Sequence, residues 1–289
     1  MCDEFTAADE DRAGAHGVTR RTFGTMAGAA GLAMVLPLPA NALPTNGRDV
    51  VIDTPDGQAD AYFVAPASGR HPGVLMWPDI MGLRPTFRQM ADRLAASGYA
   101  VLCVNQFYRS LKAPILPEGA NFAQPAVRAK IQPYVQAITP EGTMRDAAAF
   151  LPFLDRQKEV DKRRGIATTG YCMGGPMTMR TAAVGAGRVK AGASFHGANL
   201  VNDQPNSPHL LVPKMRAAYL FAIAENDDQR SPGDKDALRT AFAAAKLPAE
   251  VEVYQGANHG WCVPDSRSYN QAQAERAWTR MLALFQRSL

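Results

Sequence analysis

The stretch Gly165-Ile166-Ala167-Thr168-Thr169-Gly170-Tyr171-Cys172-Met173-Gly174-Gly175 decides how the chain is read. Its first five residues form an apolar run of strand length, and an amphipathic segment follows over 173–186, so the stretch is a strand, a tight turn and a helix. Cys172 sits in the turn with Gly170 and Gly174 two residues to either side. Glycine at those flanks lets neighbouring backbone approach without a Cβ while the side chain between them is held out of the turn. The turn also aims the amide of Met173 at the point where negative charge would develop, and the helix N-terminus favours a thiolate. Cys172 is therefore a candidate nucleophile. The competing reading is a small buried hydrophobe beside a glycine packing contact.

Working outward, the same alternation repeats. Apolar runs at 73–77, 100–104, 191–195 and 217–222 and a last strand at 251–254 are separated by amphipathic segments at 86–97, 139–156, 233–245 and 268–287. Continuous apolar strands spaced by helices predict a mostly parallel sheet covered on both faces. Before them, Val50-Val51-Ile52 and Ala61-Tyr62-Phe63-Val64 flank Thr54-Pro55-Asp56-Gly57, which predicts an antiparallel hairpin at a sheet edge. Residues 108–138 are richer in Pro and Gln without a clean period, and predict a loop with one short helix over the sheet's C-terminal edge.

Two later segments suit a nucleophile. Ala224-Glu225-Asn226-Asp227-Asp228 follows the 217–222 run, and Gly256-Ala257-Asn258-His259-Gly260-Trp261 follows the 251–254 run. Asp227 is the chosen acid, with Asp228 and Glu225 as alternatives; its work is to accept the Nδ1 proton of a histidine. His259, flanked by glycines, is the candidate general base. His71, His196 and His209 lack such a setting and read as structural. The loop Trp77-Pro78-Asp79-Ile80-Met81-Gly82 follows the 73–77 run and offers the Ile80 amide as a second oxyanion donor.

The chain has 289 residues, 46% hydrophobic and 20% charged, with a formal net charge of +4. Those values suit one large domain, and the scattered basic residues lack the aromatic interleaving of a nucleic-acid groove. Thr19-Arg20-Arg21-Thr22-Phe23 precedes a weakly apolar stretch, 26–38, too short for a membrane span, and Ala40-Asn41-Ala42 offers a cleavage site. Residues 1–42 thus read as a twin-arginine signal peptide and 43–289 as the domain. The protein is expected to meet the twin-arginine export machinery and to work in the periplasm or outside the cell. Of four cysteines Cys2 leaves with the signal, and Cys103, Cys172 and Cys262 form no disulfide framework.

The Gly-Tyr-Cys-Met-Gly-Gly turn, the strand followed by Asp227, Asn-His-Gly-Trp at 258–261 and Ser-Gly-Tyr-Ala at 97–100 resemble the dienelactone hydrolase family over residues 48–287. The resemblance implies an α/β-hydrolase fold of about eight strands without a large cap. It also implies a monomer that cleaves a small ester or lactone through a Cys172 thioester, with Asp227 and His259 and without metal or cofactor. Asp79 matches the position of a family glutamate that contacts the nucleophilic thiol, and Arg109 matches one of two arginines that clamp a substrate carboxylate. The second arginine has no match after His259, where Gly260, Trp261, Cys262 and Val263 stand. Trp261 reads as an apolar pocket wall or a core residue, so a less charged ester or lactone is expected. Two other classes remain open: an envelope thiol redox protein using Cys172 and Cys262, and a non-catalytic binding module on this scaffold.

Overall fold

The computed structural model describes residues 36–289, positions 38, 40 and 118 excepted. The signal peptide expected over residues 1–42 lies almost wholly outside the described residues. The sheet opens with β1 (Thr45–Thr54) and β2 (Gly57–Pro66), paired antiparallel from Thr45↔Pro66 to Thr54↔Gly57. The Pro-Asp-Gly turn closes this hairpin, where Gly57 takes φ 127°, a conformation that a Cβ disfavours. The remaining strands are β3 (Gly73–Trp77), β4 (Ala100–Val104), β5 (Ile166–Tyr171), β6 (Val189–Phe195), β7 (Ala218–Ala224) and β8 (Ala249–Tyr254). The eight form one sheet in the order β1-β2-β4-β3-β5-β6-β7-β8. β2 meets β4 antiparallel, and every pair from β4 through β8 is parallel. This is the mostly parallel sheet that the alternating pattern predicts, with the eight strands of the α/β-hydrolase fold that the resemblance implies.

The helices are α1 (Pro85–Ala96), α2 (Pro125–Gln136), α3 (Pro140–Arg156), α4 (Gly174–Val184), α5 (Glu225–Arg230), α6 (Asp234–Ala244) and α7 (Gln271–Ser288), with a 3-10 helix at Pro208–Lys214. Proline opens α1, α2 and α3, where its missing N–H costs nothing. Thr139 caps α3 by accepting from the Gly142 amide, and Asn270 caps α7 through the Gln273 amide.

Because strand side chains alternate between faces, each solid apolar strand feeds two cores. Leu75, Trp77, Leu102 and Ile166 pack with Phe150 and Leu154 of α3 and Met177 of α4 on one face. Val74, Met76, Val101 and Ala167 pack with Met90 and Leu94 of α1 and Met281 and Leu284 of α7 on the other. A third cluster joins Ile80, Phe107, Ile115, Phe122 and Cys172 to Ile131 and Val135 of α2. It lies at the C-terminal ends of the strands, so the 108–138 segment folds over the strand ends as a loop plus α2. Among the described residues no helix is long and apolar enough to cross a membrane.

Arg109 belongs to the scaffold. Its guanidinium bonds Asp56 in the hairpin turn at 2.6 Å and the buried Asp146 of α3 at 2.7 and 2.9 Å, and it lies over the Tyr108 ring. Tyr108 completes the knot by donating to Asp146 at 2.7 Å. Asp146, only 3% exposed, has its charge compensated where burial would otherwise be costly. The anion-clamp role that the family resemblance implied for Arg109 is not the one its contacts describe: the guanidinium is spent tying the hairpin to α3.

Candidate active site

The parallel strands end on one edge of the sheet, and each of five ends delivers part of one site. β5 ends at Tyr171, and the next residue, Cys172, has φ 54°. A non-glycine residue in that region carries roughly 1–3 kcal/mol of strain, tolerated only where the surroundings fix it. They do so here: the Cys172 amide donates to the Phe195 carbonyl at 3.0 Å, and its carbonyl accepts from Gly175 at 3.0 Å and Ala198 at 3.2 Å. A Cβ on Gly170 would lie 2.2 Å from the Gly174 carbonyl oxygen, and one on Gly174 would lie 2.4 Å from that of Trp77. No side chain but hydrogen fits at either flank, as the sequence pattern implied.

β7 ends at Ala224 and runs into α5, a short helix where a loop was expected. Three carboxylates there competed in the sequence for one role, and each has its own partner. Glu225 accepts from the Gly256 amide at 3.0 Å, Asp228 pairs with Lys235 at 2.7 Å, and Asp227 meets His259 Nδ1 at 2.7 Å. The Asn226 side chain accepts from the His259 amide at 2.9 Å, and the Glu225 amide donates to Ala257 at 2.9 Å. The start of α5 therefore grips the whole 256–259 loop. A carboxylate only accepts, so Nδ1 carries the proton and Nε2 is the basic nitrogen.

His259 and Cys172 line one cavity of about 660 Å³ together with Ile80, Met81, Leu116 and Phe122. The site thus joins Cys172, His259 and, behind His259, Asp227. Ile80 and Met173 are the two amides assigned to an oxyanion, and among the described residues neither N–H has a hydrogen-bond partner within the protein. Backbone donors are rarely left so in a protein interior, and two of them, in the Cys172 turn and in the loop after β3, suit an anionic ligand atom.

Other candidates fall differently. Asp79 lines the cavity, but its carboxylate accepts Arg84 at 2.7 and 2.9 Å and the Met81 amide at 2.8 Å. Arg84 in turn holds Asp265 at 2.7 and 2.8 Å. The thiol-contacting role implied for Asp79 thus competes with three strong bonds. Arg109 is not among the cavity-lining residues. Trp261 is fully buried and stacks on Tyr254 with centroids 4.6 Å apart, so of its two readings the core one holds. Cys103 and Cys262 are free and buried, and burial pushes both thiols up, which disfavours their thiolates.

His196 was read as structural, yet it lines the cavity. It follows β6 directly, has φ 38°, and sets its ring edge-on to His259 with centroids 4.9 Å apart. The signal for it was positional: in a parallel sheet, the first residue past a strand's C-terminal end falls beside its neighbours' sites. Among the described residues neither ring nitrogen has a hydrogen-bond partner, and burial, then the nearby His259, pushes its pKa well below the ordinary histidine value.

With this geometry in place, comparison with known proteins gives a consistent answer. The strand order and the strand-turn-helix around Cys172 define an α/β-hydrolase. Residues 59–289 match the dienelactone hydrolase family, and the chain belongs to it. A relative in Synechocystis sp., 26% identical over 83% of this chain and 96% of its own, carries the provisional name carboxymethylenebutenolidase. One in Methylorubrum extorquens with the same provisional name is 27% identical over 91% of each chain. The crystal structure of a Klebsiella pneumoniae protein, provisionally described as a dienelactone hydrolase, superposes with TM-score 0.71. It shares 23% identity, with 84% of this chain and 98% of that one covered, which speaks for the fold.

The burial of His196 makes a prediction about stability. An unfolded histidine takes a proton below about pH 6.5, and folded His196 refuses it, so stability is full above that pH and is lost as pH falls. Urea denaturation at pH 7 and pH 5 should show the wild type losing about 2 kcal/mol more than a His196→Phe variant. Equal losses would mean that His196 is protonated in the folded protein.

Proposed function

We propose that this family member hydrolyses a small ester or lactone through a thioester on Cys172. The observation that carries the reading is the 2.7 Å bond that His259 Nδ1 donates to Asp227, with His259 on the wall of the cavity that Cys172 also lines. In its reduced form Cys172 gives its proton to His259 Nε2, and the thiolate attacks the substrate carbonyl carbon. The carbonyl oxygen takes the charge between the amides of Ile80 and Met173. Collapse breaks the carbon–oxygen ester bond; the alkoxide takes the proton from His259, and in a lactone it stays attached as a hydroxyl. Water then gives a proton to His259, attacks the thioester, and releases the acid as the thiol is restored. Asp227 fixes the tautomer and stabilises the imidazolium in both halves.

The substrate class follows from the walls. Ile80, Met81, Leu116 and Phe122 are apolar, and of the two arginines on the lining, Arg84 and Arg267, Arg84 is already paired with Asp79 and Asp265. An uncharged or weakly charged ester or lactone suits this better than a dicarboxylate, although the relatives' names point to carboxymethylenebutenolide. Thiolates leave easily, which favours activated esters and strained lactones over amides. The protein acts as a monomer in this reading.

The Arg20-Arg21 pair, the apolar run and Ala40-Asn41-Ala42 support export by the twin-arginine route to the periplasm or beyond. N-terminal sequencing of the chain recovered outside the cytoplasm should start near Leu43; an intact Met1 end would contradict this.

Hydrolysis of p-nitrophenyl acetate, simple lactones and dienelactone, under reducing conditions, tests the chemistry. Cys172→Ala and His259→Ala should each lower kcat by about a thousandfold or more, and small neutral esters should outrun dienelactone. Turnover indifferent to Cys172 would leave the binding-module reading in its place.

A further inference from the structure

Gln106 stands just past the end of β4, is 2% exposed, and does not line the cavity. Its Nε2 donates to the Asp79 carbonyl at 2.7 Å and more weakly to that of Pro78 at 3.4 Å. Both neighbours are acceptors, so the amide group cannot be turned the other way round without losing both bonds. Its Oε1 is buried with no hydrogen-bond partner among the described residues. The side chain is thus held in place for its donor alone.

The Asp79 carbonyl and the Ile80 N–H belong to one planar peptide unit and point in opposite directions from it. Whatever fixes the oxygen fixes the hydrogen. The loop around them has no sheet ladder to set that plane, and the bonds its own amides make run to Asp79. The Gly82 amide donates to the Asp79 carbonyl at 3.0 Å, and the Met81 amide to the Asp79 carboxylate at 2.8 Å, with Arg84 holding the carboxylate in turn. Within this turn the Ile80 amide alone, of the three after Asp79, is not consumed internally. A donor on the carbonyl also polarises the peptide, which makes its N–H a better donor.

We propose that Gln106 is a positioning residue for the oxyanion site: it clamps the Asp79–Ile80 peptide so that the Ile80 N–H faces the carbonyl attacked by Cys172. The inference rests on the thioester reading above and deepens it. It gives Asp79 a second task as well, since its carboxylate pins the next amide of the same turn.

The test compares two reactions of the same thiol in the reduced, full-length protein. Acylation by p-nitrophenyl acetate develops an oxyanion, whereas alkylation by iodoacetamide at a saturated carbon does not. Gln106→Met keeps the volume and removes the donor. It should slow acylation by about 10- to 100-fold, short of the full loss of an oxyanion donor. KM should hold within about twofold, and the Cys172 alkylation rate should match the wild type. Gln106→Asn, which draws the same amide back by one methylene, should show the same split and serves if the Met variant does not fold. Wild-type acylation with no deficit in a folded variant, or equal slowing of both reactions, would overturn the role of Gln106. A wild type that is never acylated on Cys172 would instead remove the thioester reading on which it stands.

Discussion

The backbone contact between the Gly174 turn and the carbonyls of Trp77 and Pro78 is the constraint on which the rest of the site depends. It is a steric condition before it is a chemical one. With glycine at 174, the β5 turn and the loop after β3 can touch, as an oxyanion site shared by the Met173 and Ile80 amides would require. With a Cβ there, 2.4 and 2.7 Å from two backbone oxygens, one of the two loops must move. The positive φ of Cys172 is held by the same local packing, through its bonds to Phe195, Gly175 and Ala198.

Around that contact the charges are arranged so that few are idle. Asp227 serves His259, Glu225 and Asn226 hold the histidine loop, and Asp228 is tied to Lys235. Asp79, Arg84 and Asp265 form a chain along one wall, where each charge has an opposite neighbour. Burial pushes the pKa of the His196 imidazole beside His259 well below the ordinary histidine value, which favours its neutral form. In the proposed reaction His259, packed against a neutral ring, meets less repulsion on taking a proton than it would beside a second cation.

Much of this was legible before any coordinates. Solid apolar runs spaced by helical segments carry the parallel sheet, and β3 and β4 have the bounds that their runs imply. The order Cys172, Asp227, His259 was readable because hydrolases of this fold present nucleophile, acid and histidine in that chain order on loops after successive strands. What was not legible depends on side-chain partners across long sequence gaps. Asp227 could not be separated from Glu225 and Asp228 until each was seen with its own partner. Arg109 looked like a ligand arginine because nothing in the sequence reveals Asp56 and Asp146 on either side of it. Gln106 and His196 each stand at a strand end, yet a glutamine has no motif, and a histidine after Phe195 has no glycine on both sides to mark it.

The central claim is that the sulfur of Cys172 becomes acylated. Rapid acid quenching of the reduced protein during turnover of p-nitrophenyl acetate, followed by mass spectrometry of its peptides, tests it most directly. One acyl group on the peptide that contains Cys172, released by hydroxylamine and missing from Cys172→Ala, is the predicted result. Turnover without acylation of that peptide, or an acyl group that persists in Cys172→Ala, would contradict it.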